Sequence, residues 1–503
     1  MVTLRKYLQN QENFLAWCLG IPALAWIVWL IWPGFHMSPA GLHFIRQSDS
    51  LSFVLSYLER GAMSISPATL NLSSTEGKAA CEFPILYYVT ARLASIGFSP
   101  VSTLKTLHFI IFSAGVLFTS RLFFEVMKNA LSVILSIILI FSGTILLYYS
   151  NNLLPDIPAL GLTLIGVSLS VRGLLNEDKR LIIKSTWFFL FAALFKITYG
   201  IYPIAFCAAW LFTSHEPLVR KLKQAFIWSL ISLAPAVVWG AFVNFYNEHH
   251  HSAYFLTTWS PIWSLNGEQI NVVLDYISRY WRVNFYYPTT LHLLGIIILG
   301  TFILRIRKSN SLFSLLGWTI AGAMTYFLLF FEKFKDHDYY LLVFIPGVVI
   351  LLCTLWNYEW ISKTKMRFVL ISCTGVIALL SMNYAGKKLD QRYNRPADQY
   401  SEISKILSGY PAEELNKIGT DENVLVLGDD TMNGSLTIIN RKGITVPGSK
   451  LSEAEIDAGI LENEISKIVV LGEARAEWQK YLARSNRIGG WGETSIYEFN
   501  GNR

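Results

Sequence analysis

Residues 339–357 read YYLLVFIPGVVILLCTLWN, an uncharged run bounded by the polar stretch EKFKDHD at 332–338 and by Lys363, Lys365 and Arg367. A helix needs roughly 20 apolar residues to cross a bilayer, so this run predicts a membrane span. Its flanks give it a direction. Short loops rich in Lys and Arg stay on the cytoplasmic side, which places 363–367 inside and 332–338 outside. Ten further runs repeat the pattern, at 14–33, 101–121, 130–149, 157–172, 183–196, 199–214, 223–244, 291–306, 312–331 and 366–384. With the N-terminal pair Arg5 and Lys6 inside, every short cytoplasmic turn is basic. Arg121 and Lys128 fall there, as do Arg172, Lys179, Arg180 and Lys184, then Arg220, Lys221 and Lys223, and finally Arg305, Arg307 and Lys308. The expected fold is an α-helical polytopic membrane protein of about eleven spans, with the N-terminus cytoplasmic.

Composition agrees. The chain is 53% hydrophobic and 15% charged, against about 25% charged in a typical soluble protein. The net charge of +7 resides in loops between apolar runs, which argues for membrane topology and against nucleic acid. Of the cysteines, Cys18, Cys207, Cys353 and Cys373 lie inside apolar runs and only Cys81 in a polar loop, so neither a disulfide nor a cysteine metal site is expected. No small-residue cleavage site follows the first run, which reads as a retained helix.

Residues 83–98 (FPILYYVTARLASIGF) are nearly apolar enough to cross. Counting them would invert every later loop, so they read as a helix at the outer interface, with Tyr87 and Tyr88 at headgroup level. Leu51 to Glu59 is a second interfacial candidate. Three large outer regions follow: loop 34–100, loop 245–290 and a tail. The predicted division is a transmembrane domain over 1–385 and an extracytoplasmic α/β domain over 386–503. In the tail, 424–428 and 467–472 read as short buried strands, 496–499 as a last strand, and 452–464 and 474–485 as helices. No glycine-rich phosphate loop is present.

Three acids fall in the outer layer: Asp49 after the first run, Glu82 before the interfacial helix, and Asp156 before the fourth run. Charges near membrane depth are costly and call for a reason. A carboxylate there can accept a proton from a hydroxyl or bind a divalent cation. Helix capping is the plain alternative for Asp49 and Asp156. The cations are Arg46, Arg279 and Arg282 in the large loops, Lys196 between two apolar runs, and Lys333 and Lys335 beside His337. They suit a phosphate group, with headgroup snorkelling as the alternative. Trp259, Trp263 and Trp281 read as interface anchors. The run His249–His251 is a poor metal site, because three adjacent histidines cannot face one ion.

In order and spacing, residues 10–385 resemble the GT-C superfamily of membrane glycosyltransferases, in the branch of protein O-mannosyltransferases and the lipid A aminoarabinose transferase. The likeness rests on the Asp49 region, on Glu82-Phe83-Pro84-Ile85-Leu86-Tyr87-Tyr88, and on Leu154-Pro155-Asp156. Phe195-Lys196 with Tyr202-Pro203 adds to it, as does His337-Asp338-Tyr339-Tyr340-Leu341-Leu342 with Pro346. The chain departs from that branch in having Ser50 after Asp49 and Phe83 after Glu82.

The resemblance implies an inverting glycosyltransferase of the plasma membrane acting at its outer face. It would move a sugar from a polyprenyl-phosphate donor to a hydroxyl of a lipid, glycan or protein. It implies Asp49 as general base, with Glu82 and Asp156 orienting the acceptor or holding a divalent metal ion, the only cofactor suggested. Lys196, Lys333, Lys335, His337, Tyr340 and Arg46 would bind the donor phosphate. The competing class is a polytopic lipid or solute transporter, which would carry mid-span charges and paired halves; neither is evident here.

Overall fold

In the computed structural model of the chain, residues 14–61, 66–252, 259–304, 311–357, 365–393, 409–446 and 453–500 are described, with isolated positions besides. Arg5, Lys6, Arg305, Arg307, Lys308 and Lys363, used above to orient the chain, lie outside them. Each of the eleven apolar runs is helical over most of its described residues. The first holds α1 (Ile21–Ile31), and α2 (Phe44–Arg60) and α3 (Ile85–Ala94) follow it before the next run. The long helices α4 (Pro100–Met127), α7 (Asp156–Asn176), α10 (Leu218–His249), α13 (Ser311–Leu329) and α15 (Lys365–Tyr393) carry most of the bundle. Between them lie α5 (Ala130–Phe141), α6 (Thr144–Ser150), α8 (Lys179–Phe195), α9 (Ile201–Thr213), α11 (Gly267–Tyr276), α12 (Pro288–Leu304) and α14 (Ile345–Trp356).

Among the described residues, seven helices are long and apolar enough to cross a membrane alone, or nine if each of two bent pairs counts as one span. The difference from eleven has a physical source: α8 and α9 have 17 and 13 residues, short of a full crossing. Their outward faces are nevertheless apolar, as they are around the bundle: Trp29 is 72% exposed, Phe226 67% and Leu379 67%. Apolar surface on that scale needs lipid around it. The chain is a multi-pass membrane protein.

Small residues set the tightest crossing. A Cβ on Gly115 of α4 would stand 2.6 Å from the carbonyl oxygen of Gly161 of α7, so the two backbones touch, as in small-residue membrane packing. The run 130–149, expected as one span, is broken. The helix bends by 79° between α5 and α6, at Gly143, where a side chain would meet the Phe285 carbonyl oxygen. The bend turns Tyr148 and Tyr149 into the layer that holds the acids.

The tail forms a five-stranded sheet of order β2-β1-β3-β5-β4. Its strands are β1 (Val424–Leu427), β2 (Gly443–Val446), β3 (Lys467–Val470), β4 (Ser485–Trp491) and β5 (Thr494–Phe499). The first three are parallel and β5 and β4 antiparallel. Strands β2 and β4 were not expected, and neither was the helix α16 (Gly434–Ile439). The helix predicted over 474–485 shrinks to Gln479–Leu482 behind a short 3-10 turn, and Ser485 opens β4 instead, where pairing with β5 overrides local preference.

Leu51, Phe53 and Val54 of α2 share a core with Val424 and Val426 of β1 and with Leu436 and Ile439 of α16. This corrects the reading of 51–59 as an interfacial segment: the sheet unit covers it. Each such side chain contributes about 1.5–3 kcal/mol on burial, so the sheet is held firmly against α2. Tyr87 is corrected likewise. It is 2% exposed and stacked on Phe53, with centroids 5.4 Å apart, because the sheet-covered α2 offers it an apolar partner. Trp281 is also no anchor, being 4% exposed and packed on Phe334, whereas Trp259 and Trp263 are each 68% exposed.

Candidate active site

Arg46 and Asp49 sit three residues apart on α2 and so share one face of it. Glu82 lies in the turn before α3, Asp156 opens α7, and Lys196 directly follows the last residue of α8. The local fold favours the last two. An acid at a helix N-terminus and a cation at a C-terminus each complement the helix dipole, and here the two ends meet. Lys196 Nζ is 3.3 Å from Asp156 Oδ1 and donates to Oδ2 at 3.5 Å. The same ammonium lies over the rings of Tyr339 and Tyr340, 4.8 and 5.2 Å from their centroids.

Arg46 is the hub. Its guanidinium donates to Glu82 Oε2 at 2.5 Å and to Cys81 Sγ at 3.2 Å, and Tyr87 donates to the other Glu82 oxygen. It also acts electrostatically on Asp49, Asp156 and Lys196. Burial pushes the Glu82 carboxyl up, but Arg46, Cys81 and Tyr87 outweigh it, and Glu82 lies below the usual carboxylate range. Asp49 is different. Burial raises it to about 6, against the opposing pull of Arg46 and a hydrogen bond from Asn433. Asn433 Nδ2 donates to Asp49 Oδ1 at 2.8 Å; Oδ2 accepts no hydrogen bond among the described residues. Asp49 is thus a nearly buried carboxylate with one oxygen held and one left for a ligand, at a pKa suited to proton transfer near neutrality.

A second group adjoins the first. His43, in left-handed conformation at φ 58°, stacks on His337 with ring centroids 5.6 Å apart and packs edge-on to Tyr339. Its Nε2 is 3.4 Å from Asp338 Oδ1. Asp338 also accepts from Tyr149 and, at 2.6 Å, from Arg392. Burial pushes the His337 imidazole down to about 3, and His43, Lys196 and Lys333 push the same way. His337 is therefore neutral, and its buried Nδ1 has no hydrogen-bond partner among the described residues.

Beside this group opens a cavity of about 730 Å³, lined among others by His43, Arg279, Lys335, Asp338, Lys388 and Arg392. Its volume suits a ligand of sugar-phosphate size. The predicted residues thus divide. Arg46, Asp49, Glu82, Asp156, Lys196, Tyr340 and His337 come together in one buried layer, with Lys333 next to His337. Lys335 points into the neighbouring cavity. Arg46 holds Glu82 through Nη2. The pair Glu82 and Asp156 does not fit a metal ion as placed, since each already has a cationic partner of the chain. No cluster of three or more His, Cys, Asp or Glu able to hold a metal occurs among the described residues.

Sequence reasoning passed over His43, Tyr149, Arg392 and Asn433 as site residues. Asn433 had one available signal. It lies in the loop leaving the carboxyl end of a central parallel strand, where α/β folds place functional groups.

Solved structures of two membrane proteins, among others, share this architecture. ArnT from Cupriavidus metallidurans, bound to undecaprenyl phosphate, superposes with a TM-score of 0.58 at 10% identity, covering 95% of this chain and 97% of its own. Its apo form gives 0.58 at 10% identity, covering 95% and 98%. This is the GT-C fold. The Archaeoglobus fulgidus oligosaccharyltransferase in the apo form adds a TM-score of 0.52 at 11% identity, over 90% of this chain and 69% of that one. No family model and no curated protein sequence matches the chain. The layer of acids and cations meets the C-terminal sheet unit where Asn433 donates to Asp49.

Proposed function

We propose that the chain is an inverting glycosyltransferase that takes a sugar from a polyprenyl phosphate. The observation that carries this reading is the convergence of Asp49, Glu82, Asp156 and Lys196 around Arg46 in one buried layer of a GT-C fold. The undecaprenyl phosphate bound to ArnT supports a polyprenyl lipid as donor. The active layer faces the non-cytoplasmic side. In support, the basic turns lie at the opposite end of the bundle, where Arg172 and Arg121 pair with Glu125 and Arg367 donates to the Met127 carbonyl. The working division is a transferase domain over 1–385 and an extracytoplasmic unit over 386–503.

Asp49 Oδ2 removes the proton of the acceptor hydroxyl. The hydroxyl oxygen attacks the anomeric carbon from the face opposite the phosphate, a new glycosidic bond forms, and the bond from carbon to phosphate oxygen breaks. The electron pair leaves on the lipid phosphate, which Lys196 stabilises by charge and neutral His337 and Tyr340 by hydrogen bonding. Asp156 aims Lys196, and Glu82 holds Arg46 at the depth of Asp49. Lys335, with Lys333 behind it, draws the anionic headgroup toward the layer through the neighbouring cavity. The clustering of charge at one end, rather than mid-span, supports transfer over transport.

The test is direct. Membranes carrying the Asp49→Asn chain, supplied with radiolabelled polyprenyl-phosphate sugar, are expected to lose transfer. Wild-type turnover in that variant would overturn the assignment of the base.

A further inference from the structure

Among the described residues of the C-terminal sheet, Asn433 reaches the layer. The loop Gly428–Asn433 leaves the carboxyl end of β1, between β2 on one side and β3 on the other. That is a switch point, the place where open α/β sheets present their ligand-binding groups. Here the loop points into α2 instead. Buried Asp429 shapes it by accepting from the backbone N–H groups of Thr431 and Ser435 and from the Ser435 hydroxyl. Gly434 lets it approach, since a Cβ there would stand 2.5 Å from the Phe44 ring.

Asn433 is fully buried and its amide is oriented by a chain of donors. The Leu70 N–H donates to Ser52 Oγ at 2.7 Å, which commits the Ser52 proton to Asn433 Oδ1 at 2.9 Å. The amide nitrogen must then face Asp49 Oδ1, at 2.8 Å. The first loop is clamped beside it: Leu72 N–H donates to the Gly443 carbonyl at 2.8 Å and Gly443 N–H to the Leu70 carbonyl at 3.1 Å. A chain of donors running from Leu70 through Ser52 and Asn433 therefore ends on one carboxylate oxygen.

We propose that Asn433 is a positioning residue for Asp49, so that the site is complete only when the C-terminal sheet is docked on α2. This rests on the transferase reading. Asn433 fixes the Asp49 rotamer, occupies Oδ1 and leaves Oδ2 directed at the acceptor. A donor to a carboxylate also favours its charged form, the form a base needs. The C-terminal unit is then a part of the machinery rather than an appendage.

The experiment uses the full-length chain in membranes and follows kcat/KM for sugar transfer against pH. Loss of a hydrogen bond to a charged group is expected to move the acid limb of Asn433→Ala upward by about one pH unit, with donor KM little changed. Lys442→Ala breaks an exposed ion pair with Glu59 at the same interface and is expected to leave the limb in place. A lowered plateau with an unmoved limb in Asn433→Ala would mean a structural role only and overturns the proposal. Should that variant fail to accumulate, Asn433→Ser carries the same measurement. If the wild-type chain transfers no sugar, it is the transferase reading that fails. Carbodiimide labelling of Asp49, followed by mass spectrometry against pH, then tests the Asn433 link alone. A half-labelling pH raised in the variant supports the link, and an unchanged one overturns it.

Discussion

The two ends of the helix bundle carry charge in opposite ways. At one end Arg46, Glu82, Asp49, Asp156 and Lys196 are withdrawn from solvent, and Asp49 and Asp156 are 5% and 1% exposed. At the other, Glu216 pairs with Lys179 and Arg220, whose side chains are 43% and 63% exposed. The second arrangement costs little and gains little, as exposed ion pairs do. The first is expensive, because each buried charge must be repaid by a partner. Cheap charges serve topology; costly ones need a task. Burial separates the candidate site from the Glu216 pairs; among the basic turns Arg172, 8% exposed and paired with Glu125, is the exception.

The contrast breaks most sharply at Asp49. Loss of a general base typically costs about 10² to 10⁴ in rate, so Asp49→Asn should lower kcat for sugar transfer by that much. The same variant should be more heat-stable than wild type. The folded-state pKa of Asp49 is raised from 3.8 to about 6, so the stability linked to its protonated form is present at low pH and lost as pH rises through that window. A neutral amide escapes the loss. A melting curve at pH 7.5 that falls rather than rises would show Asp49 to be structural. Next in size is Lys196→Met. Removing a group that stabilises the leaving phosphate should lower kcat by about 10² to 10³, and an unchanged kcat would move the phosphate site elsewhere, toward the cavity at Lys335.

Much of this was legible in the sequence, for reasons that differ by residue. The apolar runs are local, and each became a helix. Asp49, Glu82 and Asp156 were visible as charges beside apolar runs, and Lys196 as a cation with no polar loop around it. What escaped was pairing. Arg46 and Glu82 are 36 residues apart, and nothing in either segment announces the other. Asn433 is 384 residues from Asp49. The break at Gly143 was invisible to hydropathy, since both sides are apolar; it lies where the Phe285 backbone comes close. In the sheet, β2 (Gly-Ile-Thr-Val) lacks the unbroken apolar run that marks β1 (Val-Leu-Val-Leu), and β4, with Gly489 and Gly490, has little strand propensity of its own and forms through its pairing with β5.

Two smaller effects sharpen the comparison. With Asp49 raised to about 6, kcat/KM should rise with pH, bend near that value and level off above it, because only the charged carboxylate accepts the proton. A limb near 4 would mean that Asp49 is more solvated in the working enzyme than its burial on α2 implies. The smallest effect belongs to the opposite end. Glu216→Gln removes the partner of Lys179 and Arg220 but leaves both cations close to water, so transfer should stay within about twofold of wild type. A large loss there would mean that the ion pairs of the basic turns are coupled to the distant acids through α8, which runs from Lys179 to the residue before Lys196. In that case the division between cheap and costly charge would have to be redrawn along the helix that joins them.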